Sequence, residues 1–253
     1  MNRFEKLSAF LEGAKGEESK RGRGVTAYAG ATAIPTAGAF AYMKGIGGGI
    51  RKPSFTDAGV AERILADSGT GAKVLTNAQF RNKVRNSFEY SLQPEFMQNM
   101  LLRKFRKNLG VTMPGADNAT IVIPRGMRGH TGVLAHELGH AQQLKKYKTP
   151  GMIGYRQATG AAAGIGTMVA AFSKDEDRAK KGAIAGTLGG IGLVGQEVGA
   201  SARGARLLGK AGVKGMRRWS PYIGIPTYAA LALAPALAYL IKRSLGGYSK
   251  TDK

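Results

Sequence analysis

The stretch Val133-Leu134-Ala135-His136-Glu137-Leu138-Gly139-His140-Ala141-Gln142 decides how this chain reads. Its residues suit a helix, and Thr149-Pro150 closes the run downstream, so a helix is expected from about Thr131 to Lys148. Residues four apart share a helical face, one turn above the other. His136 and His140 therefore direct ring nitrogens at one point, and Glu137 projects beside that face. This is the spacing with which a helix holds a zinc ion. The metal acidifies a bound water, and Glu137 is the base that takes its proton and returns it to a leaving amine.

The rest of the composition narrows the ligand set. The chain of 253 residues has three histidines, at 130, 136 and 140, and no cysteine. Disulfides are thereby excluded, and a metal site must be built from histidine and carboxylate. His130 lies six residues before His136, on another face or ahead of the helix, so a cap or surface role is expected for it. A catalytic zinc needs a third protein ligand and one open position. Downstream of His140, Asp175, Glu176 and Asp177 sit together in a charged stretch and Asp252 is in the tail. Glu197, isolated directly after an apolar segment, is the candidate by elimination, since a lone acid there is costly without a partner.

Four stretches are nearly free of charge: Val25 to Met43, Gln157 to Ser173, Gly182 to Gln196, and Tyr222 to Ile241. A membrane-spanning helix needs about 20 mostly apolar residues, with a lower limit near 17. The fourth stretch passes easily and the first passes; the second is borderline and the third short. Lys and Arg flank all four, as at membrane helix ends, but on both sides, so no orientation follows. Glycines at four-residue spacing, Gly160 and Gly164 and then Gly182, Gly186 and Gly190, suit close helix approach in lipid. The second and third stretches are expected to form a hairpin turning at Lys174 to Lys181. Glu197 then emerges on the side that holds the His136–His140 helix.

Between the first two stretches the sequence is polar. Thr76 with Gln79 reads as a capping box opening a helix through Tyr90. Pro94 suits the first turn of another, with an apolar stripe of Phe96, Met97, Met100, Leu101 and Phe105, while Lys104, Arg106 and Lys107 lie off it on a solvated face. Thr120-Ile121-Val122-Ile123 is a short β-branched strand stopped by Pro124.

Charge sets the partners. With 38 Lys and Arg against 16 Asp and Glu, the formal net charge is +22. Such a cation is drawn to anionic lipid headgroups or to nucleic acid. Arg203, Arg206, Lys210, Lys214, Arg217 and Arg218 are read first as an anchor beside the membrane and second as a phosphate-facing row. Met1 to Arg23 lacks the compact apolar core of a cleavable signal peptide.

The zinc helix resembles that of the YugP-type membrane metallopeptidases and their HtpX-type relatives. Glu197-Val198-Gly199-Ala200-Ser201-Ala202-Arg203-Gly204-Ala205 is similar to the same families' Glu-x-x-Ala-Ser/Asp motif. The resemblance covers residues 112 to 210 and implies that Glu197 is the third zinc ligand, supported by Ser201 and Arg203. It also implies two membrane segments between the motifs and an edge strand before the zinc helix. Asn118, Thr120, Ile121 and Val122 would lie on that edge and pair with an extended peptide.

The expected fold is mainly α: a zincin-like α+β core with a short edge strand, combined with about four membrane or membrane-associated helices. Residues 1–50 form the tail and first membrane segment, and 51–148 the polar helical region leading into the zinc helix. Residues 149–201 form the membrane hairpin ending in the third ligand, and 202–253 the basic stretch and last membrane helix. The expected activity is a zinc-dependent endopeptidase in a cell membrane, or in the membrane-interacting part of a virus particle. Its partners are a polypeptide substrate, an anionic bilayer and, for Gly-rich helices that need covering, further copies of the chain. The alternative is a non-enzymatic pore or DNA-translocation protein with an inherited zincin fold.

Overall fold

Asp57 opens the helix that begins at Ala58 by accepting a hydrogen bond from Val60 N at 2.9 Å. The computed structural model describes residues 22–33, 55–85, 110–113, 118–123 and 125–246. It is mostly helical with one small sheet. The chain folds as two compact units: Ile46–Met152 with Glu197–Ile223, and Met1–Gly45 with Ile153–Gln196 and Gly224–Lys253. Residues 22–33 are helix α1. The remaining helices are α2 (Ala58–Asp67), α3 (Asn77–Arg85), α4 (Thr131–Tyr147), α5 (Thr149–Phe172), α6 (Glu176–Lys210) and α7 (Ile225–Ser244). The strands are β1 (Lys73–Leu75), β2 (Val111–Met113) and β3 (Thr120–Val122), and 3-10 turns cover Gly126–Arg128 and Gly215–Gly224.

In the first unit the expected capping box is present and reciprocal. Thr76 N donates to Gln79 Oε1 at 2.8 Å, and Gln79 N donates to Thr76 Oγ1 at 3.1 Å. Helix α3 is described as far as Arg85; its expected extension to Tyr90, the helix at Pro94 with its stripe and basic face, and Pro124 lie outside the described residues. Thr131, wholly buried, ties the start of α4 to the entry of α2: its hydroxyl accepts from Asp57 N at 2.9 Å, and its N donates to Phe55 O at 3.0 Å.

The sheet order is β1-β3-β2. β3 pairs in parallel with β1 and antiparallel with β2, with Ile121 opposite Val74 on one side and Thr112 on the other. This corrects the expectation of an edge strand at Asn118 to Val122. β3 is central, its two flanks are already paired, and Ile121 and Val122 are buried. It has no free ladder to offer a peptide. The physical reason lies in its composition: a run of β-branched apolar residues suits the middle of a sheet as well as an edge. Ile121 and Ile123 pack with Leu134 and Leu138 of α4, Ile64 of α2, and Leu207 and Leu208 of α6. Each such fully buried side chain contributes about 1.5–3 kcal/mol.

Helix α6 differs from expectation in length. The third uncharged stretch ends at Gln196, but the helix runs on to Lys210, so Glu197 lies well inside it. Asp175 Oδ1 accepts from Arg178 N at 2.9 Å, and Glu176 and Asp177 occupy the first turn, where acids favour helix starts. The charged hairpin turn is therefore short. The glycines at 199, 204 and 209 keep helical backbone, and the first positive φ after Gln196 is that of Gly212, at +83°, which ends the helix, with Val213 N donating back to Leu208 O at 2.9 Å.

In the second unit α5, the leading part of α6, and α7 pack closely through small residues. A Cβ added at Gly166 would lie 2.4 Å from Gly186 Cα, and one at Gly190 would lie 2.5 Å from Ala232 Cα. Gly182, Gly186 and Gly190 thus sit on packed faces as expected. Gly160 and Gly164 do not: nothing lies within 4 Å of their Cβ positions, and Thr159, Ala162 and Gly166 make the contact instead. The packed face of α5 is therefore out of helical phase with the expected glycine row. Among the described residues one helical stretch, Gly215–Ser244, is long and apolar enough to cross a membrane.

Candidate metal centre

Two glycines set the geometry of the site. A Cβ at Gly139 of α4 would fall 2.0 Å from Ala200 O of α6, and a Cβ at Gly204 of α6 would fall 2.5 Å from Ala135 O of α4. The helices cross antiparallel with their backbones in contact at both points. Only this closeness lets the short carboxylate of Glu197 reach two histidines on the opposing helix.

His136 Nε2 and His140 Nε2 lie 3.1 and 3.2 Å from Glu197 Oε2, and 3.2 Å from each other. At zinc bond lengths of about 2.05 Å, tetrahedral ligands stand about 3.3 Å apart, so the triangle has the edge a small divalent cation requires. The three residues can hold a metal ion. The protons agree with this. Ser201 Oγ donates its single proton to Pro221 O at 2.9 Å, so it accepts from His136 Nδ1 at 3.0 Å. His140 Nδ1 donates to Gln143 Oε1 at 3.0 Å. This is the Nδ1-protonated tautomer in which Nε2 of each ring can ligate a metal, and both Nε2 atoms face Glu197 Oε2. Glu197 is 2 % exposed there. A buried carboxylate needs positive charge beside it, and two ring nitrogens and a carboxylate oxygen at this spacing are a donor set that fits a metal ion.

Glu137, next to His136 in the same helix, is also buried. Thr112 Oγ1 of β2 donates to its Oε2 at 2.6 Å and lies 2.9 Å from its backbone oxygen. Gly110 leaves room for the other oxygen: a Cβ there would meet Glu137 Oε1 at 2.9 Å.

Of the other residues expected at the site, Ser201 supports His136 directly. Arg203 donates from Nη1 to Gly199 O at 3.0 Å, one turn back on its own helix, and so braces α6 near Glu197. His130 occupies the N-cap position of α4 without a side-chain capping bond, and is not one of the three grouped residues. Burial pushes its pKa below the ordinary histidine value. Asn118, Thr120, Ile121 and Val122 sit at or in the central strand β3 and not on an edge. Sequence reasoning missed Gln143, Thr112, Gly110 and Pro221. Gln143 had a signal, since it lies three residues after His140 on the same face; the others depend on contacts distant in the chain.

Comparison with known proteins finds no matching family model, curated protein or solved structure.

Proposed function

We propose that the chain is a zinc-dependent endopeptidase working at a membrane surface, of the kind its two motifs resemble. One observation carries this reading: two histidine Nε2 atoms and a buried carboxylate oxygen form a ligand-sized triangle, on a helix where Glu137 follows His136. Zinc bound there would supply Lewis acidity toward water and the scissile carbonyl. The chain's own residues do the rest. His136, His140 and Glu197 fix the ion's place, and Ser201 and Gln143 hold the rings in the ligating tautomer. Glu137 is the general base. Its Oε2 is already taken by Thr112, so Oε1 receives the proton and delivers it to the leaving nitrogen.

With β3 occupied on both flanks, an extended substrate needs another ladder. Among the described residues no strand pairs with the far side of β2, and β2 carries Thr112 beside Glu137. β2 is the edge on which a peptide would add as a further strand.

The membrane part of the proposal rests on an inverted distribution of side chains in the second unit. Its buried cluster is built from alanines, Ala27, Ala31, Ala170, Ala171, Ala183 and Ala238. Large residues such as Ile165, Met168, Ile184, Leu188, Leu233 and Leu240 are exposed. In water each large side chain left outside forfeits about 1.5–3 kcal/mol. In hydrocarbon nothing is forfeited, and small residues give the close helix contact that holds a bundle together. We therefore place α1, α5, the leading part of α6, and α7 in the bilayer. Just before α7, Met216 and Trp219 are exposed beside Arg217 and Arg218, a composition suited to an anionic interface. Trp219 is the chain's single tryptophan. In anionic bilayers its fluorescence should be quenched more by lipids brominated near the headgroup than by lipids brominated at the chain end. Quenching by neither would remove this segment from the interface.

Elemental analysis in mild detergent tests the centre. Wild type should carry about one zinc per chain, and Glu197→Ala should lose it or bind it far more weakly. Metal-free wild type after zinc supplementation would overturn the proposal.

A further inference from the structure

We propose that Thr112 is a positioning residue for Glu137: from the β2 edge it holds the carboxylate so that one oxygen stays committed and the other stays free to accept a proton. This rests on the peptidase reading above. The observation is independent of the metal ligands. Thr112 stands opposite Ile121, and directly opposite residues of an antiparallel pair project to the same face of the sheet. Ile121 is wholly buried in the core against Leu134 and Leu138 of α4. On that face a valine or isoleucine would be the ordinary occupant. A threonine, isosteric with valine, instead brings one hydroxyl to the face, and that hydroxyl is 2.6 Å from Glu137 Oε2.

Gly110 completes the arrangement. Its Cβ position lies 2.6 Å from Val133 Cγ1, 2.8 Å from Glu137 Cγ and 2.9 Å from Glu137 Oε1. The lack of a side chain at residue 110 thus leaves room for the free oxygen while Thr112 binds the other. The side chain of Glu137 must lose torsional freedom before it can act, and the Thr112 hydrogen bond removes part of that freedom in advance. The same strand that would receive the peptide therefore also orients the base.

The test compares Thr112→Val with Thr112→Ser. On the proposal, Thr112→Val keeps zinc content and KM and loses at least tenfold in kcat, while Thr112→Ser recovers most of it. Equal kcat in wild type and Thr112→Val would overturn the proposal, as would an equal loss in Thr112→Ser. A second measurement needs no activity. Thermal midpoints of Thr112→Val, Glu137→Leu and the double variant should be non-additive: Thr112→Val lowers the midpoint clearly more in wild type than once Glu137 is leucine, where only the hydroxyl's contact with the backbone oxygen of residue 137 is left to lose. Additive midpoints would mean that the two side chains are not coupled, and the proposal fails. Coupled midpoints in a zinc-loaded protein that cleaves no peptide would instead overturn the peptidase reading, and with it a catalytic use for the pair. Gly110→Ala, which pushes on the same carboxylate, should lower kcat in parallel with zinc retained; unchanged kcat there would also count against the arrangement.

Discussion

Glu137→Gln should leave zinc binding intact and lower peptidase turnover by about 10²–10⁴-fold, the range a positioned general base contributes. The substitution is nearly isosteric. Glutamine retains a side-chain carbonyl that can accept the Thr112 hydroxyl, so the packing of β2 against α4 survives. His136, His140 and Glu197 are untouched, so metal content is expected to match wild type. What is lost is a group able to accept a proton at neutral pH. Hydrolysis of an unfolded protein such as casein, measured beside metal content on the same preparation, reads both quantities. Turnover equal to wild type, with zinc bound, would remove Glu137 from the chemistry and leave the triangle as a structural centre. Loss of zinc together with turnover would show that Glu137 serves the ligands instead. Glu197→Ala separates the cases from the other side, since it should lose metal and turnover together.

How much of this is legible in the sequence depends on the distance over which each interaction acts. His136 and His140 share a face by helical periodicity alone, and the Thr76–Gln79 box is closed within four residues. Glu197 lies 57 residues beyond His140, yet it stands out because the chain has so few alternatives. Elimination works there where pattern cannot. The strand at Thr120 is recognisable as a strand, but its place in the sheet is not, because the partner Val111-Thr112-Met113 carries no pairing signal of its own. The same blindness hides Thr112 from Glu137, 25 residues away. Gly160 and Gly164 illustrate another limit. A four-residue spacing identifies a stripe, whereas the packed stripe is chosen by the neighbour, which meets Thr159, Ala162 and Gly166. The length of α6 escapes the sequence for a related reason: charge ends a hydrophobic stretch without ending a helix.

Gly139→Ala should be the most damaging small substitution at the site, although alanine is the better helix former by about 0.8–1.0 kcal/mol. The two effects oppose each other, and geometry decides the sign. The new methyl would stand 2.0 Å from Ala200 O and 2.7 Å from Ala200 C, which are backbone atoms in the middle of α6 and have no rotamer to escape through. Relief requires α4 and α6 to move apart. Such overpacking typically costs about 1–3 kcal/mol, enough to outweigh the propensity gain. Separation also carries Glu197 away from His136 and His140. Metal ligand distances tolerate only about 0.2 Å, so zinc affinity should fall by about tenfold or more even where the fold persists. Gly204→Ala, whose methyl would meet Ala135 O at 2.5 Å, should act in the same direction through the other helix. Gly160→Ala is the matched control: its Cβ meets nothing within 4 Å, so propensity alone should act and stability should hold or rise. Zinc titration and thermal midpoints on the three variants check the prediction. If Gly139→Ala bound zinc as wild type does, the helices would not be in backbone contact, and the ligand triangle would need another explanation for its closeness.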